Sequence, residues 1–146
     1  MRGKAFLDTN ILVYTFDADA PAKRDTARRL VANALAEPGS AVLSWQVVQE
    51  FLDVATAKFA VPLSPAEARL YLSQVLRPLC EVYPDPGIYD DALGVRERYG
   101  LAFYDCLILA SATRAGCRRL YSEDFPEGFR LGPLEVVNPF RRTAAG

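Results

Sequence analysis

No histidine occurs anywhere in the 146 residues of this chain. That excludes serine–histidine and cysteine–histidine triads, imidazole zinc sites and the paired histidines of metal-free ribonucleases. Cysteine is scarce: Cys80, Cys106 and Cys117 are odd in number, form no CxxC pair and sit in or beside apolar segments. They read as reduced, inert thiols of a cytosolic protein. No apolar run reaches membrane length, and Met1-Arg2-Gly3-Lys4 leads straight into a strand-like segment without a signal-peptide core. A soluble, cytoplasmic protein without a membrane partner is expected. Positive charge is not in excess either, with 17 Lys and Arg against 18 Asp and Glu. Coating of nucleic acid by bulk electrostatics is excluded, and any polyanion must be met by a local patch.

What is present is an alternation of short apolar runs with longer helical patterns. Strand-like runs are Ala5-Phe6-Leu7, Ala41-Val42-Leu43, Glu81-Val82-Tyr83, Arg119-Leu120-Tyr121 and Leu134-Glu135-Val136-Val137. Between them, Ala27, Leu30, Val31, Ala34 and Leu35 repeat at helical spacing, and Ser44 can cap a helix through Trp45, Val48, Phe51, Leu52 and Ala55. Ser64-Pro65-Ala66-Glu67 has capping-box spacing and predicts a helix from Pro65 to Leu76. Asp85-Pro86 opens another that Gly100 can close, and a last helix spans Phe103 to Ala115 before Gly116. Strands joined by helices favour an α/β/α sandwich with a central, mainly parallel sheet of four to five strands. One domain over residues 1–140 is expected, with 141–146 as a frayed tail.

Four acids stand out. Asp8 and Asp124 each follow a strand, Glu50 lies near the start of the helix after another, and Asp105 interrupts the apolar stretch from Ala102 to Ala110. Each has an ordinary explanation: Asp8 as a helix cap, Glu50 as a solvated helix residue, Asp105 as a complement to a helix dipole, Asp124 as a turn residue. Together they are harder to explain that way, because strand-tip acids in a parallel sheet share one edge. Carboxylates about 6 Å apart repel by roughly 3 kcal/mol per pair at an effective dielectric near 20. A convergent cluster must therefore protonate or take cations, and all-oxygen donors select Mg2+ or Mn2+ over zinc.

Phe6-Leu7-Asp8-Thr9-Asn10-Ile11-Leu12, Glu50 in a helix after a strand, Tyr104-Asp105 opening an apolar helix, and Leu120-Tyr121-Ser122-Glu123-Asp124-Phe125 resemble the PIN domain in order and spacing. The likeness covers almost the whole chain and is nearest to the VapC-type toxins of toxin–antitoxin pairs. It implies a metal-dependent endoribonuclease acting on single-stranded RNA, with Asp8, Glu50, Asp105 and Asp124 as the acidic quartet and Asp8, Asp105 and Asp124 as metal ligands. Asp124 is preferred to Glu123 because the family pattern puts its acid two residues after the strand-end Ser122; Glu123 is held in reserve. Thr9, Asn10 and Ser122 are expected to hold the carboxylates by hydrogen bonds, although Thr9 and Asn10 suit helix capping equally well. The resemblance also implies a homodimer and a small antitoxin whose tail occupies the active groove.

RNA approaching an acidic centre needs flanking cations. Arg24 and Arg28, with Lys23 and Arg29, form one candidate group, and Arg114 and Arg118, with Arg119, another. A solvated helix face explains the first group as well. Core packing is preferred to base stacking for Tyr14 and Trp45. Competing readings are a PIN nuclease of RNA maturation, a non-catalytic RNA-binding module, and a haloacid-dehalogenase-like phosphatase. The last expects a second acid two residues after Asp8, where Asn10 stands.

Overall fold

β1 (Ala5–Leu7) has both Phe6 and Leu7 fully buried. A strand apolar on successive residues, and so on both faces, belongs in the middle of a covered sheet. In the computed structural model, which describes residues 3–141, it lies there. The sheet runs β3-β2-β1-β4-β6-β5, with β2 (Ala41–Ser44), β3 (Cys80–Val82), β4 (Arg119–Tyr121), β5 (Arg130–Leu131) and β6 (Leu134–Val137). All pairs are parallel except β5 with β6.

The sheet thus has six strands, not the four or five expected. β5 is two residues long and carries no periodicity. It exists through antiparallel pairing of Arg130 with Glu135 and Leu131 with Leu134, across a turn in which Gly132 has φ 56°. A positive φ of that kind is open to glycine and costly for other residues.

Helices flank the sheet: α1 (Thr9–Tyr14), α2 (Pro21–Ala36), α3 (Trp45–Ala57), α4 (Pro65–Tyr71), α5 (Arg77–Leu79), α6 (Pro86–Tyr99) and α7 (Phe103–Arg114). The Ser64 capping box forms as expected, with Glu67 N–H donating to Ser64 Oγ and Ser64 N–H to Glu67 Oε1. The helix it starts is not uniform to Leu76; Leu72–Leu76 is a π-helical turn, across which Leu72, Val75 and Leu76 all pack on the core. Ser44 occupies the N-cap position of α3, but its buried hydroxyl makes no cap bond. Asp85 does cap α6, accepting from Ile88 N–H, and Gly100 ends it with φ 70°.

Residues 142–146 of the expected tail lie outside the described residues; Arg141 is described and pairs with Glu127. No helix among the described residues is long and apolar enough to cross a membrane. All three cysteines are free, Cys106 and Cys117 buried and Cys80 partly so.

The chain moves from β1 outward through β2 to β3, then returns to the other side of β1 at β4. Strand order therefore reverses between β1 and β4, and a crevice opens beyond their C-terminal ends.

Candidate active site

Asp8 follows β1 directly and is 5% exposed. One carboxylate oxygen accepts from Thr9 N–H at 2.8 Å, capping α1, and the other accepts from Ser122 Oγ at 2.7 Å. Ser122 follows β4, the neighbouring strand, so parallel pairing of Leu7 with Tyr121 brings the two together. Burial pushes the Asp8 carboxyl from its ordinary 3.8 up to about 6. The Ser122 and Thr9 hydrogen bonds oppose that rise, and the charges of Asp124 and Glu50 add to it.

Glu50 reaches the same place from α3. Thr9 Oγ1 donates to its Oε1 at 2.7 Å and Gln46 Nε2 to its Oε2 at 3.3 Å. Asp105, in the first turn of α7, is half-buried. Burial raises its carboxyl above the usual range, and the nearby charges of Asp124 and Glu50 raise it further. Desolvation and like charge thus act together on a group whose oxygens accept no hydrogen bond among the described residues.

After β4, Glu123 and Asp124 diverge. Asp124 accepts from Asn10 Nδ2 at 3.0 Å, and the same amide donates to Ser122 Oγ at 3.2 Å. Glu123, on the same cleft, has other partners: Tyr14 OH donates to it at 2.7 Å and Lys23 Nζ at 3.2 Å. Lys23 also lies 4.8 Å from the Tyr14 ring centroid, and Tyr14 meets Phe140 edge-on. Tyr14 is thus neither simple core nor a free stacking platform. Trp45 is partly buried, its ring at 82° to that of Tyr89.

Asp8, Glu50, Asp105 and Asp124 line one open cleft of about 600 Å³, with Thr9, Asn10, Tyr14, Gln46 and Glu123. Seven carboxylates line it in all, counting Asp17 and Asp53, against one cation, Lys58, which no sequence motif marks. Two buried amide oxygens in the lining, Asn10 Oδ1 and Gln46 Oε1, also lack a donor. A wall so rich in acceptors fits a hard divalent cation held through oxygen. Among the described residues, no three acidic or cysteine side chains are already closed around a common point for an ion.

The expected cations are less uniform. Arg28 Nε donates to Thr15 O at 2.9 Å, and Arg24 lies 3.7 Å from Asp25. Arg114 is engaged by Asp85 at 2.6 Å and Asp91 at 3.4 Å. Arg118 precedes β4, so it sits at the sheet edge opposite the cleft, where its N–H donates to Lys4 O. Lys23 is the member of these groups that reaches the acidic cleft, through Glu123. Neither Gln46 nor Lys58 carried a motif. The four-residue step from Gln46 to Glu50, which puts both on one helical face, was the available signal.

A PIN domain family model matches residues 5–125, and the chain belongs to the PIN domain family. PIN domains are nucleases that use divalent metal ions. Solved structures share the fold, three of them as follows. A toxin–antitoxin complex from Klebsiella pneumoniae superposes with a TM-score of 0.65 at 22% identity, covering 93% of this chain and 98% of that one. The Mycobacterium tuberculosis toxin VapC20, which cleaves the sarcin–ricin loop, gives 0.61 at 21% identity over 83% of this chain and 90% of its own. FitAB bound to a DNA fragment gives 0.62 at 17%, covering 97% and 99%. No curated protein matches the sequence.

Proposed function

We propose that this chain is a Mg2+- or Mn2+-dependent endoribonuclease that cleaves single-stranded RNA, the toxin of a type II toxin–antitoxin pair. The observation that carries the reading is the lining of one cleft by Asp8, Glu50, Asp105 and Asp124 in a chain without histidine. Asp8, Asp105 and Asp124 are the ligands assigned to the ion, with Glu50 beside them. When bound, a divalent ion supplies activation of water and charge stabilisation of the leaving 3′ oxygen.

The chain's own groups do the rest. Ser122 and Thr9 N–H hold Asp8 with both oxygens aimed, Asn10 holds Asp124, and Thr9 and Gln46 hold Glu50. Glu123 is tied to Lys23 and Tyr14, so Asp124 takes the fourth acidic role. Lys58 and the basic residues of α2 are assigned to the RNA backbone.

The toxin role rests on likeness of fold to the Klebsiella and Mycobacterium proteins, which also supports a small antitoxin partner. Homodimer formation and a cytoplasmic location belong to the same reading. The test is cleavage of single-stranded RNA by purified protein in Mn2+ or Mg2+, with EDTA and Asp8→Asn as controls. The expected products carry 5′-phosphate and 3′-hydroxyl ends. A 2′,3′-cyclic phosphate, or full cleavage by Asp8→Asn, rejects the mechanism. Co-purification with the product of an adjacent small gene, and dimer mass in solution, test the partners.

A further inference from the structure

Gln46 is the second residue of α3 and is only 4% exposed, an unusual place for a primary amide. Its Nε2 has two hydrogens, and both are used: one goes to Glu50 Oε2 at 3.3 Å, the other to the backbone carbonyl of Tyr104 at 3.1 Å. Both partners are acceptors only, so the amide must present its nitrogen to them; turned over, it would set oxygen against oxygen twice. The orientation is therefore fixed by the site. It leaves Oε1 buried without a donor, a cost the fold carries at this position.

The carbonyl that Gln46 holds belongs to the residue before Asp105. α7 has Ala102 at its N-cap and no side-chain cap bond. No hydrogen bond fixes the Asp105 carboxylate itself among the described residues. Its place is set by the first turn of α7, and Gln46 is a side-chain link between that turn and α3. Glu50 has one donor on each oxygen, Thr9 and Gln46, so losing Gln46 also frees half of that carboxylate.

We infer that Gln46 is a positioning residue, a two-donor strut that sets the spacing of Glu50 and Asp105 across the cleft, and so the affinity of the acidic cluster for a divalent ion. The inference rests on the nuclease reading above. An apolar side chain of similar length lacks both donors, and asparagine is one methylene too short to span both acceptors.

The test uses the full chain with Mn2+ alone as the probe, read by calorimetry, beside RNA cleavage. Gln46→Met is expected to remain folded by circular dichroism, with about tenfold weaker Mn2+ binding and about tenfold lower kcat, while KM for RNA stays within about twofold. In a Glu50→Ala background the same change is expected to weaken Mn2+ binding by less than about threefold, because one arm of the strut has already lost its acceptor. Gln46→Leu provides a second apolar variant where Met does not fold. Equal losses in both backgrounds assign Gln46 a structural role only and overturn the inference, as does wild-type Mn2+ affinity in Gln46→Met. A wild-type chain that cleaves RNA in those experiments leaves the nuclease reading standing whatever Gln46 does. A wild-type chain that neither binds Mn2+ nor cleaves RNA overturns both.

Discussion

Ser122 Oγ donates to Asp8 Oδ2 at 2.7 Å, across 114 residues of sequence. The direction of that bond is forced, because the same hydroxyl accepts from Asn10 Nδ2 and from Asp124 N–H. Its single proton can only go to Asp8, which must then accept it. The pair therefore favours the ionised carboxylate against a burial that disfavours it.

Replacing Ser122 by alanine removes that support. Ser122→Ala is expected to cost about 1.5–3 kcal/mol of stability, the range for a hydrogen bond to a charged group. It should also lower cleavage by about tenfold or more. The acid limb of the pH–rate profile should move to higher pH, because Asp8 then ionises less readily. An unmoved limb would separate Ser122 from Asp8.

The raised Asp8 pKa makes a statement about stability in metal-free buffer. Between its ordinary 3.8 and about 6, the folded carboxyl keeps a proton that the unfolded chain has released. The native state binds more protons there, so this group's contribution falls as pH rises through that window. The loss is about 3 kcal/mol by pH 7, at 1.36 kcal/mol per pKa unit. Thermal unfolding in EDTA should therefore show the Tm of Asp8→Asn gaining on that of the wild type from pH 4 to 7. Adding Mn2+ should raise the wild type alone. A gap between the two proteins that does not change with pH would contradict the assignment.

Glu123 and Asp124 are adjacent but differ in engagement, and kinetics should separate them. Asp124→Asn is expected to reduce cleavage by about 100-fold or more, as loss of a charge at the reacting centre does. Glu123→Gln should keep activity within about fivefold and change stability by about 1 kcal/mol or less, since the pair it breaks with Lys23 is partly exposed. The reverse order would make Glu123 the fourth acid.

RNA affinity should depend on cations by position rather than by number. Lys58→Glu is expected to weaken binding and reduce the salt slope by about one, as expected for a phosphate contact. Arg24→Glu with Arg28→Glu should have a smaller effect, because neither side chain lines the cleft. Arg114→Ala, which removes the partner of Asp85 and Asp91, should leave RNA affinity unchanged, and so should Arg118→Ala at the far sheet edge. Filter binding across a salt series distinguishes these outcomes.

The local signals in the sequence proved readable because they act over a few residues. The Ser64–Glu67 capping box, Asp85 before Pro86, and Gly100 at a helix end each satisfy nearby backbone groups wherever the chain lies. Apolar runs located five strands for a similar reason. β5 escaped because its two residues become a strand only by pairing with β6. The π-helical turn at Leu72–Leu76 escaped because the helical period continues through it and packing sets its width.

The sequence by itself narrowed the chemistry open to this protein: the lack of histidine excludes imidazole triads and imidazole zinc sites, and the acids stand at strand tips. The order of the sheet decided which carboxylates share a cleft, because it sets β4 beside β1 and so Ser122 beside Asp8. Tertiary contacts also tied Glu123 to Lys23, occupied Arg114 with Asp85 and Asp91, and gave Gln46 its two acceptors. Side-chain pairing of that kind depends on distances of a few ångströms between segments far apart in sequence, and periodicity and capping carry no record of it.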